Sequence, residues 1–405
     1  MLPCLRSFAS TSPESSRMIA QPAAPSRYHA LDALRAAMMF LGIYLHAAWV
    51  YSPYSRWPFK PPQVTTALEY SMVWIHVFRM PVFYVMAGFF AALLLQRYGF
   101  RRAADNRFWR IVVPFVVGWI VLFPLVMFLA ALGRTDLPRA LDFILSGRFL
   151  AYANPMHLWF LEYLIVLYLL AAVSVMGVRL VLPQNVGPLL LQLFRTAVQS
   201  LWAPLIFAVP SFLVMLLMKH AWLEDPPSLV PASRIVLAYA IPFVFGWLLY
   251  LSTDLLETLS RRAWLYTVVA VVMGIAHLAL IYSFADHGTP FYAARAAHAL
   301  AMWCLIFGIT GLFLRYLDGH SALRRYLCDS SYFLYIAHIP VIIAFQLLLR
   351  DVPLPPLAKV PLVLAATIAV LLPLYRYAVR PTVVGAVLNG RKYPGAVMPT
   401  VAAAD

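Results

Sequence analysis

The chain has 405 residues, of which 63% are hydrophobic and only 12% charged, and its mean hydropathy is +0.79. That balance excludes an ordinary soluble domain and points to the membrane. A formal net charge of +15 would suit a nucleic-acid partner, but the cations sit between apolar runs and not in a patch of their own, so no nucleic acid is expected.

The first 26 residues hold no hydrophobic region and so do not read as a secretory signal. Rich in Ser, Ala and Pro, they are expected to be a disordered cytoplasmic tail, or to lie upstream of a true start at Met18. Ten apolar stretches of about 20 residues, the length that crosses a bilayer core, then predict helices over 30–52, 70–95, 111–131, 157–182, 201–218, 235–251, 264–284, 294–315, 332–349 and 358–379. The expected fold class is all-α, a polytopic integral membrane bundle of about ten helices. It occupies residues 27–382 as one domain, and 383–405 read as a cytoplasmic tail. Cys4, Cys304 and Cys328 show neither disulfide nor ligand spacing. The histidines lack Cys or carboxylate partners at metal-ligand spacing, so no metal is expected.

With an even number of spans both termini share a side, and alternate loops can be compared. The set containing the termini holds sixteen Lys and Arg, among them Arg97, Arg101, Arg102, Arg107 and Arg110. The opposite set holds seven: Arg56, Lys60, Arg134, Arg139, Arg148, Lys219 and Arg350. The positive-inside rule places both termini in the cytoplasm.

Within the first predicted helix, Asp32, Arg35 and His46 share one stripe. Eleven steps of about 100° bring His46 to within roughly 20° of Arg35 and about 16 Å further along the axis. Asp32 and Arg35 can neutralise each other one turn apart, which leaves the deeper histidine unexplained. Polar groups in a bilayer are costly unless they are paired or face a cavity, and an imidazole there is suited to general-base work. The second helix carries His76 and Arg79 one turn apart, either snorkelling to the headgroups or binding an anion, and Gly88 further on permits close helix contact. Arg107 and Arg110, three residues apart, end the most basic loop. They serve topology or anionic lipid, or present two guanidiniums to the phosphates of a nucleotide-like cofactor. His157 and Glu162 open the fourth helix, and His338 lies inside the ninth.

Five segments, in order, resemble the membrane-bound acyltransferase family 3. They are Arg35 with ten residues before His46, the Phe83 to Gly88-Phe89 stretch, Arg107-x-x-Arg110 ahead of Pro114, His157-Leu158-Trp159-Phe160-Leu161, and Ser331-Tyr332 through Tyr335 to His338-x-Pro340. They span nearly the whole chain. Leu31-Asp32-Ala33-Leu34-Arg35-Ala36, Leu41-Gly42-Ile43, Ile75 to Met80 and Gln96-Arg97-Tyr98 are similar to a branch of the family that adds succinyl groups to periplasmic glucans of Gram-negative bacteria. Ala87-Gly88 replaces the commoner Ser-Gly, and the N-terminal extension has no counterpart; neither change removes a proposed catalytic group.

The resemblance implies a bacterial inner-membrane O-acyltransferase. Its donor is an acyl-CoA, succinyl-CoA or acetyl-CoA, bound from the cytoplasm with its phosphates near Arg107 and Arg110. His46 is then general base or acyl carrier, and Arg35, with Asp32 beside it in the catalytic set, supports the cofactor or polarises the thioester. Arg79 and His76, with His157, Glu162 and His338, are candidates for holding the acyl carboxylate or the acceptor, a periplasmic glucan or other surface polysaccharide. Membrane lipids are the remaining partner. Two other readings stand beside this one: an O-acetyltransferase acting on lipopolysaccharide or exopolysaccharide, and a secondary transporter with Asp32, His46 and Glu162 as a proton relay. The transporter reading leaves Arg107-x-x-Arg110 unexplained, and no paired half-repeat supports it.

Overall fold

A computed structural model describes residues 28–393 except 56, 58, 182, 184–185, 227, 284–287 and 392. The N-terminal tail, Cys4 and the last residues of the C-terminal tail lie outside the described residues. Every regular element among the described residues is helical, as the composition predicts.

The principal helices are α1 (His29–Trp49), α2 (Thr66–Arg107), α3 (Val113–Leu132), the short α4 (Leu137–Leu145) and α5 (Trp159–Val181). There follow α6 (Val186–Gln199), α7 (Ala203–Met215), α8 (Ser233–Tyr250), the short α9 (Leu255–Arg261) and α10 (Ala263–Ser283). The chain closes with α11 (Thr289–Tyr316), α12 (Ala322–Leu348), α13 (Pro356–Leu374) and the short α14 (Val383–Asn389). Eight helical runs are long and apolar enough to cross a membrane, nine if the bent pair α6–α7 is one span.

The difference from ten has a local cause. The run Thr66–Leu132 counts once but contains two of the expected spans. If straight, 42 residues of α2 alone would measure about 63 Å, twice a bilayer core. Gly99 breaks that course with a φ of +74°, a conformation glycine adopts without penalty. The chain then reverses: Arg110 and Ile111 share a cavity with Ala87 to Leu94, whereas Val126 and Met127 share another with His76 and Arg79. The span expected over 201–218 differs more. Its helix α7 is only 13 residues long, and α6 meets it at 116°. Arg195 of α6 is held across the chain by Asp254, at 2.6 and 2.8 Å.

The outer surface is that of a membrane protein. On α10 the side chains of Trp264, Val268, Val271, Val272 and Ile275 are exposed on one face, an apolar stripe with no protein to cover it. Polar side chains turn inward instead. Asp32, Arg79, His157, His298 and His338 are all buried. α1 packs against both α2 and α12.

α2 and α8 approach as closely as backbones can. A Cβ on Gly88 would fall 1.9 Å from the Phe243 carbonyl oxygen, and one on Gly246 equally close to that of Val85. Small residues at such crossings replace the hydrophobic drive that lipid removes. Gly88→Val should therefore push the helices apart at a cost on the order of 1–3 kcal/mol or more. The expected result is a lower melting temperature of the detergent-extracted protein. Gly177→Val, which meets nothing within 4 Å, should leave it unchanged. Equal behaviour of the two would show that the crossing tolerates separation.

Candidate active site

Two internal cavities lie along α1, and its rise decides which polar residue enters which. Asp32 and Arg35, near its start, line a cavity of about 360 Å³. His46, about 16 Å further along the axis, lines another of about 210 Å³.

In the second cavity three helices contribute imidazoles. His46 comes from α1, His338 from α12, and His157 from the 3₁₀ turn ahead of α5. Ring centroids lie 5.2 Å apart for His46 and His338, 5.0 Å for His157 and His338, and 6.3 Å for His46 and His157. Backbone carbonyls decide two of the tautomers. His338 Nδ1 donates to Tyr335 O at 2.7 Å, and His157 Nε2 donates to Ile336 O at 2.9 Å. The remaining nitrogens, His338 Nε2 and His157 Nδ1, are buried without a hydrogen-bond partner among the described residues, as is His46 Nδ1. A neutral imidazole that donates at one nitrogen presents a lone pair at the other, so this chamber holds unused proton acceptors. The three rings do not form a group able to hold a metal ion.

The chamber also contains a buried cation. Arg79 is only 6% exposed and makes no ion pair among the described residues. Its guanidinium lies against α1 at Gly42, where a Cβ would come within 2.4 Å of Nη1. Any larger residue at 42 would expel it. His76, one turn earlier on α2, pairs instead with Asp225 at 3.3 Å. Asp225 sits in the loop between α7 and α8; withdrawal from water alone would raise its carboxyl, but His76 and Arg79 outweigh that and hold it below the ordinary aspartate value.

The first cavity gathers guanidiniums. Arg35 pairs with Asp32 at 3.4 Å. Arg107 donates to Phe90 O at 3.1 Å and lies 5.0 Å from the Tyr168 ring centroid. Arg110 donates to Leu388 O at 2.9 Å, so α14, at the start of the segment expected as a tail, folds back on this cavity. Arg325 and Arg391 complete its wall, both bound to Asp329 at 2.9 and 3.3 Å. Five guanidiniums against two carboxylates, Asp32 and Asp329, leave the cavity strongly cationic, a setting for phosphate groups.

Phe83 and Phe160 line both cavities, and their ring centroids lie 5.1 Å apart with the planes tilted by 42°. They are the wall where the two spaces meet.

Of the residues expected from sequence, His46, His76, Arg79, His157 and His338 come together in one chamber. Asp32, Arg35, Arg107 and Arg110 come together in the other. Asp32 and Arg35 therefore do not join His46, although they share its stripe. Glu162 lines neither cavity; it is buried, with Oε2 lacking a hydrogen-bond partner. Sequence reading missed Asp225, Arg325, Asp329, Arg391 and the aromatic wall. Arg325 and Asp329, four apart at the start of α12, were readable as a helical ion pair. Asp225 carried no local signal.

Comparison with known proteins identifies the family. Residues 28–376 match the family model described as an acyltransferase domain, Acyl_transf_3. The chain is similar to the glucans biosynthesis protein C of Salmonella gallinarum and to that of Salmonella paratyphi B, each 26% identical over 331 residues that cover 80% of this chain and 84% of the relative. No solved structure matches. With the family match running across nearly all the described helices, the chain belongs to the family 3 acyltransferases and is a polytopic membrane acyltransferase.

Proposed function

We propose that this enzyme lies in a bacterial inner membrane and moves a succinyl group from cytoplasmic succinyl-CoA to a hydroxyl of a periplasmic glucan. One observation carries the reading: a cavity of guanidiniums and a chamber of imidazoles back onto the same two phenylalanine rings. A donor taken from one side and an acceptor from the other require such a pair of spaces. The names of the relatives support a glucan acceptor, and the loop charges support cytoplasmic termini.

The roles follow from position. Arg107 and Arg110, with Arg35, Arg325 and Arg391, hold the phosphates of the donor by charge-assisted hydrogen bonds. The slender acyl-bearing arm passes Phe83 and Phe160 to reach the imidazoles. His46 takes the proton of the sugar hydroxyl as that oxygen attacks the thioester carbonyl. The carbon–sulfur bond breaks, the thiolate of CoA leaves, and the proton passes from the imidazolium to the sulfur. His157 and His338 flank the reacting groups with their unused acceptors. Arg79, which makes no ion pair among the described residues, holds the carboxylate of the succinyl group, with His76 beside it.

A proton-coupled transporter draws less support. Asp32, His46 and Glu162 would form its relay, yet they occupy three separate surroundings. An acetyl donor or another surface polysaccharide would keep the same layout.

His46→Ala should lower transfer by about 10²–10⁴-fold with membrane abundance near normal. The measurement is mass spectrometry of periplasmic glucans from a host without its own substituting enzyme. A succinyl increment with wild type alone supports the reading; an acetyl increment replaces the donor; no increment, with the protein present in the membrane, rules out the glucan.

Arg107→Ala and Arg110→Ala should each raise the KM for acyl-CoA by about tenfold or more while the acceptor KM stays within about twofold. Altered membrane insertion with unchanged KM values would reduce the pair to topology signals.

Arg79→Gln should impair succinyl transfer far more than acetyl transfer in a competition assay with both donors. Equal losses would contradict a carboxylate clamp.

A further inference from the structure

The acyl-transfer layout leaves one open feature unused. Beyond the His46 end of α1, three connections meet: the α1–α2 loop, the turn after α3, and the start of the α12–α13 link. Between them lies an open groove of about 690 Å³. Its lining includes Trp57, Phe59, Lys60, Arg134, Thr135 and Arg350, that is, three cations and no carboxylate. Lys60 is exposed and makes no ion pair among the described residues. Arg350 is braced by donating to Gly133 O at 3.1 Å.

The groove is joined to the histidine chamber by a single side chain. Trp57 lines both, and its indole lies 6.1 Å from the His46 ring. Its orientation is secured from below. Trp57 Nε1 donates to Gln346 Oε1 at 2.9 Å, and the buried Gln346 amide donates to the carbonyls of His46 and Ala47, each at 3.2 Å. The aromatic floor of the groove is thus tied to α1 at the histidine itself. A ligand lying on that floor rests against the side chain that also lines the chamber.

Cations along a polar groove select anions, and an aromatic face offers a surface for the apolar faces of sugar rings. We propose that this groove is the acceptor subsite, and that the acceptor it takes is an acidic glycan, one that already bears phosphate or carboxylate groups. The proposal deepens the acyl-transfer reading and rests on it for the fate of the ligand. Binding itself is testable without turnover.

The probes are fluorescent β-glucan oligosaccharides of equal length, neutral or carboxymethylated, titrated by anisotropy against full-length protein in nanodiscs of zwitterionic lipid. Wild type should bind the carboxymethylated probe at least about fivefold more tightly at low salt, with the preference fading at high salt. Lys60→Gln combined with Arg134→Gln should abolish the preference. Lys219→Gln, a cation outside the groove lining, should retain it. Trp57→Ala should weaken both probes. Arg350 is left intact because it braces Gly133, and native elution of each variant on size exclusion checks the fold. Equal binding of the two probes by wild type, or an undiminished preference in the double variant, would overturn the proposal. Loss of the preference in nanodiscs of anionic lipid would also overturn it, assigning the groove to headgroups. Transfer from labelled succinyl-CoA is measured separately. Selective binding without transfer would strike the reaction reading and leave the groove standing; transfer without selective binding would do the reverse.

Discussion

A guanidinium held inside an apolar bundle with no ion pair among the described residues is a severe constraint, and Arg79 imposes it on this protein. Desolvating such a charge costs several kcal/mol unless something stabilises it. The surrounding structure accommodates it by geometry: Gly42 leaves room against α1, and Asp225 reaches the same chamber from the α7–α8 loop. Both helices that meet at Arg79 are thereby committed. α1 must present its side-chain-free position there, which directs the stripe bearing His46 into the chamber.

The same economy of space runs through the rest of the bundle. Lipid supplies no hydrophobic drive between helices, so association relies on close packing. α2 and α8 meet backbone to backbone at Gly88 and Gly246, which holds α2 in place and with it His76, Arg79 and Phe83. α12 supplies His338 and Tyr335, and Tyr335 donates to His157 O at 2.8 Å. The turn before α5 is therefore tied to α12 through both the backbone and the side chain of His157. Buried nitrogens without partners normally cost about 1–3 kcal/mol each. A rigid frame sustains those of His46, His157, His338 and Arg79, which line the same chamber.

Much of this was legible in the chain. The apolar runs set the helical class, and the bilayer's thickness set their lengths. Asp32, Arg35 and His46 fell on one stripe because helix geometry is regular. The same geometry also keeps His46 away from Asp32 and Arg35: the rise that aligns them separates them by a third or more of a membrane's thickness, and they line different cavities. His157 and His338 stood out as polar residues where lipid discourages them. Arg391 and Asp225 did not, because charged residues in loops are ordinary. Only the fold-back of α14 and the dip of the α7–α8 loop bring them to a cavity.

The amino-acid sequence by itself determined the membrane class, the helical stripe on α1, and the residue types able to do acid–base and phosphate chemistry. These depend on local quantities: hydropathy, a period of 3.6 residues, and the intrinsic chemistry of side chains. Tertiary structure alone decided that the stripe residues of α1 enter different chambers, that Phe83 and Phe160 line both of them, and that Trp57 lines a basic groove as well as the chamber of His46. Those facts depend on which helices cross at which depth. Crossings follow from the mutual fit of glycines and bulky side chains far apart in the chain, which no local pattern records.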